Sequence, residues 1–347
     1  MIQIFLRPDP LYVETIRRED AWIDHLYFHV LVDNLSRAPF EIRSFELILD
    51  NPSLGCRLTQ TFKGSFLTDM FEKSLPFLDR CTSPSLTVPP NEMRGIVSHH
   101  LEVDGACHFS DIVCRVVGHS LAAGKIHVEA RGHLCRDLPQ TSLTLPVKGR
   151  WWIAGGHTNF EPHRRGRLPS TVYAYDFIQL GIDCRSFRNS GTRNEDYYAF
   201  GAPVLAAADG IVEKVAEGYE ENAPSCTPSR NIDKYLRSDI PMVGNHVVIK
   251  HCQGEYTLYA HLQPRLLVRA GDYVVRGQEL GLLGNSGEST EPHLHFHLAD
   301  GPGLDSGGIP IQFENWKEDA FSLSPGIVNR GAILSREVIE STSIVNS

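Results

Sequence analysis

Three histidines in one short run carry the sharpest chemical signal in this sequence. In Glu291-Pro-His-Leu-His-Phe-His-Leu298, residues i and i+2 of an extended chain point to the same side. His293, His295 and His297 then share one face, while Leu294, Phe296 and Leu298 turn the other way, into a core. Three adjacent imidazoles are poor packing material, because each ring has two nitrogens that want partners. Imidazole is also the commonest biological zinc ligand. A fourth histidine, His261, ends the run Tyr256-Thr-Leu-Tyr-Ala-His-Leu262. Asp176 lies in Val172-Tyr-Ala-Tyr-Asp-Phe177, where alternation puts Val172, Ala174 and Asp176 on one face and Tyr173, Tyr175 and Phe177 on the other. A carboxylate in so apolar a strand is expensive to bury unless it meets a cation. Metal binding is the chemistry these residues share. The plainer readings are a turn cap for Asp176 and a structural strand end for His261.

Positioning these residues requires strands, and the whole chain is patterned for them. Leu26, Phe28, Val30 and Val32 alternate with Tyr27, His29 and Leu31; Phe45, Leu47 and Leu49 do the same, as do Ile126, Val128 and Ala130. Period-2 alternation with turn residues every dozen or so positions predicts a β-sandwich of immunoglobulin-like type over residues 1–147. Only Thr68 to Lys73 reads as helical. The histidines of this half, at 25, 29, 99, 100, 108, 119, 127 and 133, are scattered and read as structural or surface residues. Near Pro146-Val-Lys-Gly149 the texture changes to strands separated by glycine turns, and an antiparallel β domain is expected over 148–320, with a C-terminal tail over 321–347. Asp209-Gly210 predicts a hairpin between Val204–Ala207 and Ile211–Val215, and Gly254 predicts another between Asn245–Lys250 and Tyr256–Ala260. Two polar insertions, 185–196 and 217–242, interrupt the meander and are expected beside a cleft. Tyr256, Tyr259 and Asn245 are candidate cleft residues, His246 and His251 surface residues, and Asn285 and Ser286 turn residues.

Composition narrows the function classes. The 347 residues carry 33 Lys and Arg against 42 Asp and Glu, a net charge of −9, which disfavours a general nucleic-acid binder. There is no apolar run near the ~18 residues of a membrane span. Eight cysteines include no CxxC pair, which excludes zinc-ribbon and thioredoxin-like motifs; buried free thiols are expected ahead of disulfides.

The blocks GAPVLAAADGIV (201–212), GNHVVIKH (244–251), YTLYAHL (256–262), AGDYVVRGQELGLLGNSGEST (270–290) and PHLHF (292–296) together resemble the lysostaphin-type (LytM-like) zinc metalloendopeptidases, β-rich enzymes that cut peptides of bacterial peptidoglycan. The resemblance spans about residues 150–315. It implies one Zn2+ per chain, with His295 and Asp176 as ligands and His293 and His261 as the catalytic imidazoles. It also implies an open zinc position, where the pKa of a water falls toward ~7. The imidazoles would act as general base and as stabilisers of the tetrahedral intermediate.

One position departs from the family pattern. The first zinc ligand is usually a His four residues before the Asp, and here that residue is Val172. His163 is the favoured replacement and His157 the reserve, since metal geometry constrains space rather than sequence. His297, one step past the motif, is a candidate supporting partner of the ligands. The function implied is a zinc-dependent hydrolase cutting stem or cross-bridge peptides. The alternatives are a catalytically degenerate relative serving as a wall-binding or activator module, and a metallopeptidase with a non-wall peptide substrate. The opening MIQIFLRPDPLYVETIRRED has no basic stretch followed by an apolar one. An envelope location therefore needs a signal upstream of this chain, and the alternative is the cytoplasm.

Overall fold

Alternating sequence becomes strand wherever its apolar face meets another one. A computed structural model of the chain describes residues 1–18, 20–73, 85–137, 139–156, 168–224, 242–252, 254–318 and 338–342. In the first half lie β1 (Ile2–Arg7), β2 (Leu11–Arg18), β3 (Ala21–Asn34), β4 (Phe40–Asn51), β5 (Cys56–Lys63), β6 (Thr87–Val88), β7 (Glu92–Asp104), β8 (Asp111–Ser120) and β9 (Gly124–Cys135). They form two antiparallel groups, β1-β3-β2 with β7 on β3, and β9-β8-β4-β5 with β6 on β4. A short parallel pairing, Leu11 with Leu134 and Tyr12 with Cys135, joins the groups. Leu26 and Phe28 from one group and Phe45, Leu47 and Val116 from the other are buried in a shared core, and the antiparallel β structure that the pattern predicts forms. The single helix of the described residues, α1 (Gly64–Lys73), covers the stretch read as helical. Two of the histidines of this half, His25 and His29, are fully buried on β3.

The second half contributes β10 (Arg150–Gly155), β11 (Tyr175–Ile178), β12 (Pro203–Leu205), β13 (Gly210–Ala216), β14 (Asn245–Lys250), β15 (Tyr256–Leu262), β16 (Tyr273–Val274), β17 (Glu279–Leu282), β18 (Leu294–Ala299), β19 (Trp316–Glu318) and β20 (Val338–Ser341). One sheet runs β16-β13-β14-β15-β18-β11-β10-β20-β19, and β12 pairs β17 apart from it. Leu294, Phe296 and Leu298 join Trp151, Tyr175, Phe177 and Tyr259 in a second core, as the spacing of the histidine run requires. Leu143, Leu145 and Val147 also pack in this core. Within the expected C-terminal tail, β20 pairs with β10 and buries Ile339.

Three local expectations are corrected. The Asp209-Gly210 turn does not join two paired strands: β12 pairs β17, while β13 pairs β14 and β16. The intervening Ala206, Ala207 and Ala208 are buried in the core, and this small-residue run carries the chain from one sheet to the other. The Gly254 hairpin between β14 and β15 does form. The strand carrying Asp176 starts only at Tyr175, because Pro169–Thr171 form a 3-10 turn with Val172 as its helical C-cap. Val172 and Tyr173 therefore leave the Asp176 alternation and pack against Tyr27 of the first half. The Tyr173 ring meets Tyr27 edge-on at 6.1 Å, and its hydroxyl donates to the Tyr12 carbonyl at 3.0 Å. His246 and His251, expected at the surface, are buried. His246 Nδ1 bonds the Gly244 carbonyl, and His251 bonds the Asp209 carbonyl and the Thr257 hydroxyl.

Phe296 has no exposed surface, and its ring lies 5.2 Å from Tyr259 and 5.6 Å from Phe313. Phe296→Ala should lower the unfolding free energy by about 3–5 kcal/mol in urea denaturation. Leu282→Ala, at a side chain 40% exposed, should change it by under about 1 kcal/mol.

Candidate metal and catalytic centre

β18 lies between β15 and β11, and the pairings fix what stands beside its histidines. Asp176 on β11 and Ala260 on β15 are both in register with His295, so all three share the face opposite the Phe296 core. Asp176 Oδ1 lies 3.1 Å from His295 Nδ1 and 3.7 Å from His293 Nε2. The other nitrogen of His295, Nε2, is 3.1 Å from His297 Nδ1. His295 is thus held at both nitrogens, with Nδ1 aimed at the carboxylate. A ligating histidine is commonly held this way, oriented through its second nitrogen.

His261 reaches this face by breaking the strand. On β15, Tyr259 and Thr257 are on the other side, and alternation would send His261 after them. Between the pairs Val247–Tyr259 and Asn245–Leu262, however, β15 advances three residues against two on β14. This is a β-bulge, a device that re-aims a side chain. His261 sits there with φ of 62°, a left-handed conformation that a non-glycine residue holds only when its surroundings enforce it. The His261 amide donates to the Val243 carbonyl, and its carbonyl accepts from Gly284 N–H. The ring consequently lies 4.6 Å from that of His293 and 5.9 Å from that of His295.

Backbone carbonyls set the tautomers. His261 Nδ1 is 2.7 Å from the Ser286 carbonyl, and His293 Nδ1 is 2.8 Å from the Glu291 carbonyl. A carbonyl only accepts, so both Nδ1 atoms carry hydrogen and both Nε2 atoms are bare in the neutral rings. Burial, followed by neighbouring His293 and His295, holds His261 well below the usual imidazole range, which leaves its Nε2 as a base. A bare His293 Nε2 meets the Asp176 carboxylate favourably only when protonated or through a shared cation. The donor set of Asp176 Oδ1 and His295 Nδ1 therefore suits a metal. Among the described residues, no third His, Cys, Asp or Glu atom lies within 4.8 Å of both. His163 and His157 fall in 157–167, outside the described residues.

Both insertions meet the loop that carries Ser286. From the second, Glu221 accepts from Asn285 N–H, and Asn222 Nδ2 donates to the Gly287 and Ser289 carbonyls. From the first, Asn194 Oδ1 accepts from Asn285 Nδ2 at 3.0 Å, and Ser186 Oγ donates to Glu291 at 2.6 Å. Ser289 Oγ lies 3.1 Å from His293 Nδ1. These residues hold the partners of both catalytic-candidate imidazoles, and sequence reasoning missed them, since a polar insertion has no periodicity to read. Tyr259 is a core residue whose hydroxyl accepts from Ala207 N–H, so it does not line the cleft. Asn245 is buried and ties Tyr219 to Leu262. Asn285 and Ser286, expected as turn residues, lie outside any regular turn: Ser286 bridges Glu221, and its carbonyl is the acceptor that orients His261.

Burial raises the Glu221 carboxyl to about 7, against the opposing Asn285 N–H. The folded chain then holds this proton more tightly than the unfolded one, whose carboxyl titrates near 4.5. The associated stability is complete below that lower value and is lost as pH rises through about 7. Glu221→Gln keeps an oxygen acceptor without a charge. Its melting temperature should match the wild type at pH 4 and exceed it at pH 8, as thermal melts at the two pH values would read.

Residues 195–305 match the sequence profile of Peptidase family M23. The chain is 29% identical over 162 residues to Peptidoglycan DD-endopeptidase ShyA of Vibrio cholerae, covering 47% of this chain and 28% of that protein. It is 31% identical over 159 residues to Cell division protein DipM of Caulobacter vibrioides, covering 46% and 21%. The chain thus spans less than a third of the length of either relative. Among solved structures, the catalytic domain of lysostaphin from Staphylococcus simulans aligns with 21% identity and a TM-score of 0.27, over 46% of this chain and 88% of that one. His261, His293 and His295 all lie within the stretch that matches Peptidase family M23.

Proposed function

We propose that the chain is a zinc-dependent endopeptidase of bacterial peptidoglycan, cutting stem or cross-bridge peptides in the cell envelope after export. The observation that carries this reading is the registered Asp176–His295 pair with the neutral, re-aimed imidazole of His261 beside it. The relatives support the substrate class, as ShyA is named a peptidoglycan endopeptidase. Residues 1–147 would form a domain that positions or regulates a peptidase domain over 148–320.

Asp176, His295 and His163 would hold the ion. When bound, zinc supplies Lewis acidity to the scissile carbonyl and lowers the pKa of water. His261 accepts a proton at Nε2, the nitrogen left bare by its bond to Ser286. His261 then returns that proton to the leaving amine, and His293, partly open to solvent and facing Asp176, would stabilise developing negative charge in its protonated form. His297 orients His295.

One observation favours the non-catalytic alternative. Val172, at the family's first ligand position, is buried against the first half of the chain. Zinc analysis separates the two readings. His163→Ala should lose one equivalent of zinc and His157→Ala none. His261→Ala should keep the metal and lose about 10²–10⁴-fold in the rate of peptidoglycan digestion. A wild type that digests no peptide with its zinc in place would establish the binding-module reading. Unchanged zinc content in His163→Ala would remove His163 from the ligand set.

A further inference from the structure

Away from the cleft, two imidazoles and a carboxylate converge on the first half of the chain. β3 and β7 pair antiparallel with His25 opposite Glu102 and Tyr27 opposite His100. All four side chains therefore share one face, the one opposite the Leu26–Leu101 pair that enters the core. His25 Nδ1 lies 3.1 Å from His100 Nε2. Glu102 Oε1 is 3.6 Å from the first nitrogen and 3.9 Å from the second. We propose that His25, His100 and Glu102 form a second divalent-cation site, separate from the peptidase centre and selective for a zinc-like ion.

The spacing fits such an ion. Donors at 2.0–2.2 Å from a tetrahedral zinc stand about 3.4 Å apart, so the three atoms need shifts of only tenths of an ångström. Hydrogen bonding accounts for part of the cluster: one proton shared between the imidazoles makes an N–H···N bond, and the near-parallel rings suit it. The carboxylate oxygen stands 3.6 Å from one of these nitrogens and 3.9 Å from the other, near enough to both for one ion to reach all three atoms. A cation displaces the shared proton and draws all three donors in. Two neutral imidazoles and one carboxylate make a borderline-soft set that suits zinc better than calcium or magnesium. Glu14, buried and in register with His25 from the β2 side, adds a second carboxylate to this face and favours positive charge there.

The surroundings indicate what the ion would do. His25 is wholly buried, while His100 and Glu102 are 29% and 37% exposed, so the site has a fixed inner ligand and an open side for entry. The His100 ring stacks on Tyr27 at 4.5 Å. Tyr27 in turn meets Tyr173, three residues before Asp176. The cation would fasten β3 to β7 directly beneath the contact between the two cores. Its role is structural, with no ligand shared with the cleft.

Equilibrium dialysis of the full chain against zinc chloride, followed by metal analysis, tests the assignment. His295→Ala, which disables the peptidase centre, should still bind one equivalent. The double variant His295→Ala/His100→Ala should bind none, and zinc should raise the melting temperature of the first and not of the second. Because His100→Ala removes a ring from the Tyr27 stack, His295→Ala/Glu102→Gln provides a milder variant. It should fold normally and bind zinc at least tenfold more weakly. A folded His295→Ala chain that binds no zinc would overturn the proposal, as would equal zinc affinity with and without Glu102→Gln. Neither result bears on the peptidase site, whose metal is read by His163→Ala.

Discussion

The second half of the chain is organised around one pairing, Asp176 against His295, in a sheet whose other face is apolar. Leaving a carboxylate among Tyr175, Phe177 and Phe296 is unfavourable unless charge or hydrogen bonds answer it. The answer comes from β18, which offers imidazole on the face where β11 offers the carboxylate. The other face of both strands is aromatic, and its packing locks the register: Phe296, Tyr175 and Phe313 contact one another. A slip of one residue would exchange the imidazoles and the phenyl rings between the two faces of the sheet. Core packing is therefore what sets the donor geometry, and the same constraint explains why the site is built on strands rather than loops.

His261 shows the opposite strategy. Regular β structure cannot bring it to the site, since its neighbours Tyr259 and Leu262 are buried in the core. The bulge and the left-handed backbone break regularity at one residue, and a dense hydrogen-bond network holds the break. Both insertions serve this network. Glu221 and Asn222 from one and Asn194 from the other grip the loop whose Ser286 carbonyl accepts a hydrogen bond from His261 Nδ1. Segments that look like decorations of the meander thus act as buttresses for the imidazoles.

This division decides what could be read from the sequence. The histidine run, the Asp176 strand and the core-facing Leu294, Phe296 and Leu298 follow from period-2 alternation, and the structure places them together. The hairpin between β14 and β15 was legible from its glycine turn. What escaped depends on partners distant in sequence. The β12–β17 pairing replaces a local hairpin because buried alanines carry the chain across to another sheet. The start of β11 at Tyr175 reflects a proline-led turn at 169–171. The bulge at His261 has no local signature, because histidine shows no preference for a left-handed backbone strong enough to read. In the first half the histidines look scattered along the chain, yet strand register brings His25 and His100 within 3.1 Å.

Val172 ties these points together. In the family pattern its position supplies a metal ligand, whereas here it ends a 3-10 turn and packs with Tyr173 on Tyr27. A ligand at this position would have to face the cleft, and a side chain packed on Tyr27 faces the first half of the chain. The two demands are incompatible for one residue in one backbone conformation. Docking of the two cores has claimed the position. The first half thereby shapes the candidate centre: by holding Val172 and Tyr173, it fixes where β11 begins and hence where Asp176 meets His295.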